Sequence, residues 1–134
     1  MSFETRIQQL ANGAGLKVTG VNSFLATLLF DSDFRVYRAY IMPFGDVWEF
    51  SVQSLFSFDN EDKFPQVILA MLLARNSKSK RGFWCIEALE GKHVLSAMLN
   101  VPDVSLTSAE FERICRALVH EVAVIETAIA TALR

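Results

Sequence analysis

The sequence is poor in the residues that usually carry catalysis. It has two cysteines and two histidines in 134 residues, and neither pair has the spacing of a metal site. It also has no glycine-rich phosphate loop and no nucleophile elbow. His93 and His120 are isolated imidazoles, so a ligand or general-base role is the less favoured interpretation of each. We therefore predict a non-enzymatic protein with no cofactor and no bound metal.

Features of secretion and membrane insertion are missing as well. Cys85 and Cys115 fall in a predicted strand and a predicted helix, so we interpret both as reduced core thiols rather than a disulfide. The first ten residues lack the basic and then apolar order of a signal peptide. The longest apolar run, residues 67–74, is too short to span a bilayer. Together these features predict a cytoplasmic protein with no membrane partner.

Positive charge is scarce and dispersed. The formal net charge is −2, and the one basic cluster consists of Arg75, Lys78, Lys80 and Arg81. A nucleic-acid partner requires clustered lysine and arginine to neutralise several phosphates. We therefore predict no nucleic-acid partner.

Apolar residues, in contrast, are abundant. They make up 51% of the chain, with eleven phenylalanines, while charged residues make up 21%. A domain of this size has a limited interior, so surplus apolar side chains must reach its surface. We interpret the surplus as a subunit interface, most simply that of a two-fold homodimer. A monomer with scattered exposed aliphatic residues is the alternative.

The clearest single pattern lies in residues 47–58, where apolar and polar residues alternate. A period of two places the two sets on opposite faces of a strand, so this segment predicts a half-buried strand with one aromatic face. That face carries Trp48, Phe50, Val52, Phe56 and Phe58, with Ser54 as its one small member.

The segments before this strand predict a helix and two further strands. The helix covers residues 2–12 and the strands cover residues 24–30 and 34–42, joined by short polar turns. The first of the two strands is apolar on both sides, which is typical of a strand covered on two faces. Residues 16–22 are either a loop or a poor strand. Short turns between consecutive strands predict an antiparallel meander.

The helix predicted over residues 65–76 has almost no polar face. A helix that is apolar all round must be covered all round, and the sheet of so small a domain covers only one side. We therefore predict that a second subunit covers the other side. The predicted dimer interface consists of Val67, Ile68, Met71, Leu72 and Arg75.

The remaining segments predict a hairpin, residues 83–89 and 93–101, and a long final helix. A capping box that begins at Thr107 starts this helix, which continues toward Arg134. One apolar stripe follows it, and we expect its last turns to extend beyond the domain. The prediction is thus a single α+β domain, residues 1–134, in the order α-β-β-β-α-β-β-α with a five-stranded antiparallel sheet.

This order of elements resembles one bacterial group. With its aromatic meander, its apolar helix ending in Arg75-Asn76 and the strand that follows Gly82, the chain is similar to the type III secretion chaperone-like fold, and within it to the YbjN-like proteins. Phe64-Pro65 and Gly91 also fit this resemblance. It implies helices packed on an antiparallel sheet and a small homodimer that holds an extended segment of another protein. YbjN-like relatives are assigned loosely to sensory or regulatory roles, with no catalytic residues.

Two functional hypotheses follow. The first is a chaperone-like or regulatory adaptor that holds a peptide segment on a surface formed by Trp48, Phe50, Phe56 and Phe58. The alternative is a regulatory protein that binds a small apolar or anionic molecule in a cleft between the meander and a helix. Arg35 and Arg38 would then be the polar handles for that molecule.

Overall fold

A computed structural model describes residues 1–32, 35–79 and 81–132 of the chain. Three residues that the predictions used, Phe34, Lys80 and Arg134, lie outside this described part. The helices and strands are α1 (Phe3–Ala14), β1 (Val18–Val21), β2 (Ala26–Asp31), β3 (Val36–Phe44), β4 (Val47–Phe58), α2 (Gln66–Lys78), β5 (Phe83–Leu89), β6 (Lys92–Pro102) and α3 (Ser108–Ala132).

The strands form one antiparallel sheet in the order β1-β2-β3-β4-β6-β5. The α+β class and the antiparallel pairing are confirmed, but the prediction of five strands was wrong. The sixth strand is β1, in the segment for which the sequence left a loop or a poor strand open. It is short and only half-buried at its ends, and its register with β2 shifts between Val18 and Gly20. A glycine inside four residues removes most of the alternation that identifies a strand.

One face of the sheet is covered by α1 and α3. The Phe111 ring on α3 meets the Phe50 ring edge-on at a centroid distance of 5.7 Å, and Phe3 on α1 meets Trp48 at 5.0 Å. The aromatic face of β4 is therefore the floor of the core. On α3 the apolar stripe is buried as far as Ile129, which is 1% exposed. We expected the last turns of α3 to extend beyond the domain. As far as Ile129 they pack against the core instead, so that expectation was wrong.

The opposite face of the sheet, which we call the open face, carries no helix in the described part of the chain. On this face the register pairs Leu29 with Arg38 at one end of the sheet, and Ser96 with Gln53 and Cys85 at the other. Leu29 is 45% exposed, so the prediction that its strand is covered on two faces was wrong. Apolar residues on both sides of a short strand do not show that both sides are covered.

Local signals at the helix termini explain where the helices begin and end. Ser2 accepts a hydrogen bond from the Thr5 amide at 3.1 Å and starts α1, which ends at Gly15 with a φ of 70°. The Thr107 hydroxyl accepts from the Glu110 amide at 3.1 Å and starts α3. The carboxylate of Glu110 bonds to Arg81 and Arg113, so the described hydrogen bonds include only the hydroxyl half of the predicted capping box.

Candidate functional site

The outward side of α2 forms an apolar surface. Val67 and Leu73 are 71% and 69% exposed, and the exposed residues Ala70 and Ala74 lie between them on the same side of the helix. We call these four residues the outer face of α2. Two large and two small apolar side chains make a face that another helix or strand can approach closely.

The predicted dimer interface divides between this surface and the interior. Ile68 and Leu72 are each 3% exposed and belong to the chain's own core, so their assignment to a subunit interface was wrong. Met71 packs half-buried against that core, and Arg75 bonds to α3. Of the five residues predicted to form the dimer interface, Val67 is the one with a strongly exposed apolar side chain. The nearly non-polar pattern of α2 could not distinguish its inner side from its outer side, because both are apolar.

Glu121 on α3 connects α2 to β5. Arg75 donates from Nε and Nη2 to the two carboxylate oxygens of Glu121, at 2.5 and 2.7 Å, and Trp84 Nε1 donates to one of them at 2.9 Å. The hydrogen bond from Arg75 is the main reason that the pKa of Glu121 lies below its ordinary value. This network holds α2 along the outer edge of the sheet.

Asn76 closes part of that edge. Its Nδ2 donates to the Trp84 carbonyl at 3.0 Å, and the Trp84 amide donates to its Oδ1 at 2.6 Å. The side chain thus takes the place of a neighbouring strand. The register turns the backbone groups of Trp84, Ile86 and Ala88 away from β6. Among the described residues, no hydrogen bond reaches the outward groups of Ile86 and Ala88.

The free edge of β5 adjoins the outer face of α2. An apolar groove of about 280 Å³ separates them, lined by Leu69, Leu72, Leu73, Trp84, Ile86 and Leu95 among others. We call the outer face of α2, this groove and the Ile86–Ala88 edge together the α2–β5 surface. It combines unpaired backbone groups with exposed aliphatic side chains, the combination that an added strand or a second helix can cover.

The predicted aromatic binding surface is largely buried. Trp48 and Phe50 are 2% and 1% exposed beneath α1 and α3, so their assignment to a partner-binding surface was wrong. Phe56 and Phe58 are half-buried, and Phe58 packs on Phe64 with a centroid distance of 4.5 Å. Alternation identifies which residues share a face of a strand. It does not identify which face the helices cover.

The two predicted arginine handles do not meet in one site. Arg35 is paired with Glu126 of α3 at 2.6 Å and lies over the Tyr37 ring, 3.8 Å from its centroid. Arg38 is exposed on the open face. The sequence offered no signal for the first pair, because Arg35 and Glu126 are 91 residues apart. Arg35 thus already has a resident carboxylate as its partner.

Neither thiol is set up as a nucleophile. Burial raises the pKa of Cys115 to about 12 and is the main cause that raises the pKa of Cys85 to about 11, with the charges of Glu87 and Glu49 adding to it. Within residues 1–32, 35–79 and 81–132, no group of three His, Cys, Asp or Glu side chains could hold a metal ion. No described helix combines the length and the apolarity needed to cross a bilayer.

Comparison with known proteins identifies the fold. No protein-family model and no curated protein sequence matches the chain. Among solved structures it is similar to the Yersinia pestis type III secretion chaperone SycH in complex with a stable fragment of YscM2, with a TM-score of 0.64 and 10% identity over 92% of this chain and 99% of that one. The chain has the type III secretion chaperone-like fold.

Two other solved structures share the type III secretion chaperone-like fold. The ExsC–ExsE complex matches with a TM-score of 0.64 and 17% identity over 91% of this chain and 92% of that one. YbjN from E. coli matches with a TM-score of 0.60 and 13% identity over 89% of this chain and 84% of that one. These likenesses confirm the resemblance inferred from the order of elements, and at such identities they concern fold alone.

Proposed function

We propose that this chain is a non-enzymatic, chaperone-like protein-binding module that acts as a cytoplasmic homodimer. The observation that carries the proposal is the α2–β5 surface, where exposed aliphatic residues adjoin unpaired backbone groups. The structures of SycH and ExsC, which share the fold, each contain a second protein, and this supports a protein partner here. The whole chain, residues 1–134, would act as one domain.

The homodimer would form through the α2–β5 surface. A two-fold axis beside α2 brings the same face of each copy together, so Val67 and Leu73 of one copy would meet the outer face of α2 of the other. Burying these side chains would stabilise the pair by the removal of apolar area from water. Arg75 and Met71 would lie at the margin of this interface.

Sedimentation equilibrium at micromolar concentration tests the interface. We expect the wild type to be a dimer and the double variant Val67→Glu, Leu73→Glu to be a monomer, because buried unpaired carboxylates oppose association. Val104→Glu is the matched control, since Val104 is 86% exposed and lies outside the α2–β5 surface. A wild type that sediments as a monomer would show that the homodimer proposal is wrong.

The open face is the surface proposed for the partner protein. Its neighbouring strands β2 and β3 expose Leu29 and Val36 at 45% and 49%, and the register places them diagonally to each other. An extended segment with apolar side chains would cover them. Phe56 and Phe58 pack half-buried against the core rather than on the open face, so they do not belong to this surface.

Co-purification from the native cell tests this role. We expect a protein partner to be retained by the wild type and by Val104→Glu, and lost by the double variant Leu29→Glu, Val36→Glu. Thermal unfolding of each variant establishes that it is folded. Repeated recovery of no protein partner by the wild type would count against the adaptor role, whether or not the chain dimerises.

A further inference from the structure

A second cavity, of about 420 Å³, lies where α2 ends and α3 passes over β5 and β6. The chain leaves α2 at Lys78 and turns at Gly82, with a φ of 76°, before it enters β5. Side chains of α2, α3, β5 and β6 all line the cavity. The volume is within the range of pockets that hold small organic molecules.

The floor and the rim of this cavity differ in chemistry. The floor is apolar and includes Trp84, Leu99, Ile114 and Leu118. The rim is basic and consists of Arg75, Lys78, Arg81 and Arg113. We call this feature the basic-rimmed cavity. An apolar floor beneath several cations is complementary to a molecule with an apolar body and an anionic head.

The carboxylates already present do not neutralise the rim. Glu121 pairs with Arg75, and Glu110 pairs with both Arg81 and Arg113, so four cations face two carboxylates in a chain whose net charge is −2. Within the described part of the chain, no carboxylate forms an ion pair with Lys78. The rim therefore keeps an excess of positive charge.

The paired arginines also keep unused donors. A guanidinium has five N–H groups, and Arg113 uses Nε and Nη2 for Glu110, which leaves Nη1 available. The side chains of Arg75, Arg81 and Arg113 are 42%, 50% and 57% exposed, so a solute can reach them. Their resident carboxylates hold them in place without using all of their hydrogen-bonding capacity.

The helix terminus alone does not account for this charge. Arg75 and Lys78 lie in the last turn of α2, where they offset the partial negative charge of its carbonyl end. Arg81 lies beyond α2, and Arg113 lies on α3. The convergence of all four on one apolar cavity requires a further explanation.

We propose that the basic-rimmed cavity binds a small amphipathic carboxylate. Its apolar body lies against Leu99 and Ala117, the lining residues that keep exposed apolar surface, and its carboxylate accepts hydrogen bonds from Lys78 and Arg113. This site lies apart from the open face, and it borders the α2–β5 surface, with which it shares Trp84. It also differs in place from the cleft beside Arg35 and Arg38 that the sequence suggested.

Octanoate is the probe for this proposal, with octanamide as its uncharged counterpart. Calorimetric titration of the wild-type protein should show octanoate binding, and octanamide should bind much more weakly. Arg113→Ala should weaken octanoate about tenfold, because it removes one charge-assisted hydrogen bond. Arg116→Ala is the matched control: Arg116 is also on α3 and also pairs with a glutamate of its own helix, but it does not line this cavity.

A cavity-filling pair of variants separates this site from general association with apolar surface. Ala117 lines the cavity, so Ala117→Phe should abolish octanoate binding. Ala128→Phe, on an exposed position of the same helix, should leave binding unchanged.

The proposal is overturned if octanoate does not bind, if octanamide binds equally, or if Arg113→Ala and Arg116→Ala have equal effects. If an acidic, leucine-rich peptide shows the Arg113 dependence and octanoate does not, the cavity is a peptide site and the small-molecule proposal is wrong.

Discussion

Glu126 shows how much of this fold depends on single polar side chains. It accepts four hydrogen bonds: two from Arg35, at 3.2 and 2.6 Å, one from the Tyr37 hydroxyl and one from the Leu55 amide, both at 2.8 Å. Its side chain is 11% exposed. Burial is the main cause that raises the pKa of Tyr37, and the hydrogen bond to Glu126 adds to it. A nearly buried carboxylate with all its partners present joins the end of α3 to β3 and β4.

Replacing Glu126 by glutamine should lower the free energy of unfolding by about 2–3 kcal/mol. The amide nitrogen cannot accept a hydrogen bond, so it would face donors from Arg35 or Leu55 and leave the guanidinium charge without its partner. Urea unfolding followed by tryptophan fluorescence measures the change. Glu112→Gln, which removes an exposed ion pair with Arg116, should change the free energy by less than about 1 kcal/mol. Equal midpoints for the two variants would contradict this account of Glu126.

The ion pair between Arg75 and Glu121 should be visible in the pH dependence of stability. The pKa of Glu121 is lowered from 4.5 in the folded protein, mainly by the Arg75 hydrogen bond. A lowered carboxyl pKa stabilises the fold above the ordinary value, and this contribution is lost as the pH falls through the folded-state value. We therefore expect Arg75→Gln to lower the free energy of unfolding at pH 7 by up to about 1 kcal/mol, since the pair is partly exposed.

The difference between wild type and Arg75→Gln should shrink as the pH falls below 4.5, because Glu121 becomes protonated in both proteins. Urea titrations at a series of pH values measure it. Arg116→Gln is the control: it removes the same charge as Arg75→Gln, but from a position on α3 that does not pair with Glu121. If the difference between wild type and Arg75→Gln stays constant from pH 7 to below pH 4, the ion pair does not contribute in this way.

The elements themselves differ in how far the sequence determines them. The bounds of β4, Val47–Phe58, match the alternating segment at both ends, because a pleated strand half-covered by helices produces that alternation over its whole length. The same pattern could not show that Trp48 and Phe50 lie beneath α1 and α3. The hydrogen-bond networks of Glu121 and Glu126 could not be predicted from the sequence either. Their arginine partners lie 46 and 91 residues away, and no local spacing rule connects such positions.

At the scale of elements, Asn76 joins α2 directly to the backbone of β5. Asn76→Ala should lower the free energy of unfolding by about 1–3 kcal/mol, because both backbone groups of Trp84 would lose their hydrogen bonds in a partly buried place. Hydrogen exchange of the Trp84 amide should accelerate, whereas the amides of Phe83 and Cys85, which the register turns toward β6, should stay protected. Asn100→Ala, on an exposed position of β6, is the control and should change the free energy by less than about 0.5 kcal/mol.

The whole molecule exposes more surface than its mass predicts. Its accessible area is 7885 Å², while a compact monomer of 15.0 kDa has about 7,000 Å² by the usual scaling. Part of this surface is apolar, including the outer face of α2 and the aliphatic residues of the open face. The excess of apolar residues noted in the composition is thus placed at defined surfaces, where a second chain could cover it.

The dependence of Tm on protein concentration tests the proposed homodimer. If two copies fold as one unit through the α2–β5 surface, mass action favours the folded dimer at high concentration. The Tm of the wild type should then rise by about 2–4 °C for each tenfold increase in protein concentration. The Tm of Val67→Glu, Leu73→Glu should not change, because a monomer unfolds without a change in the number of particles. Val104→Glu should follow the wild type. A wild-type Tm that is the same across a hundredfold range of concentration would contradict the homodimer and would leave the open face as the only proposed protein-binding surface.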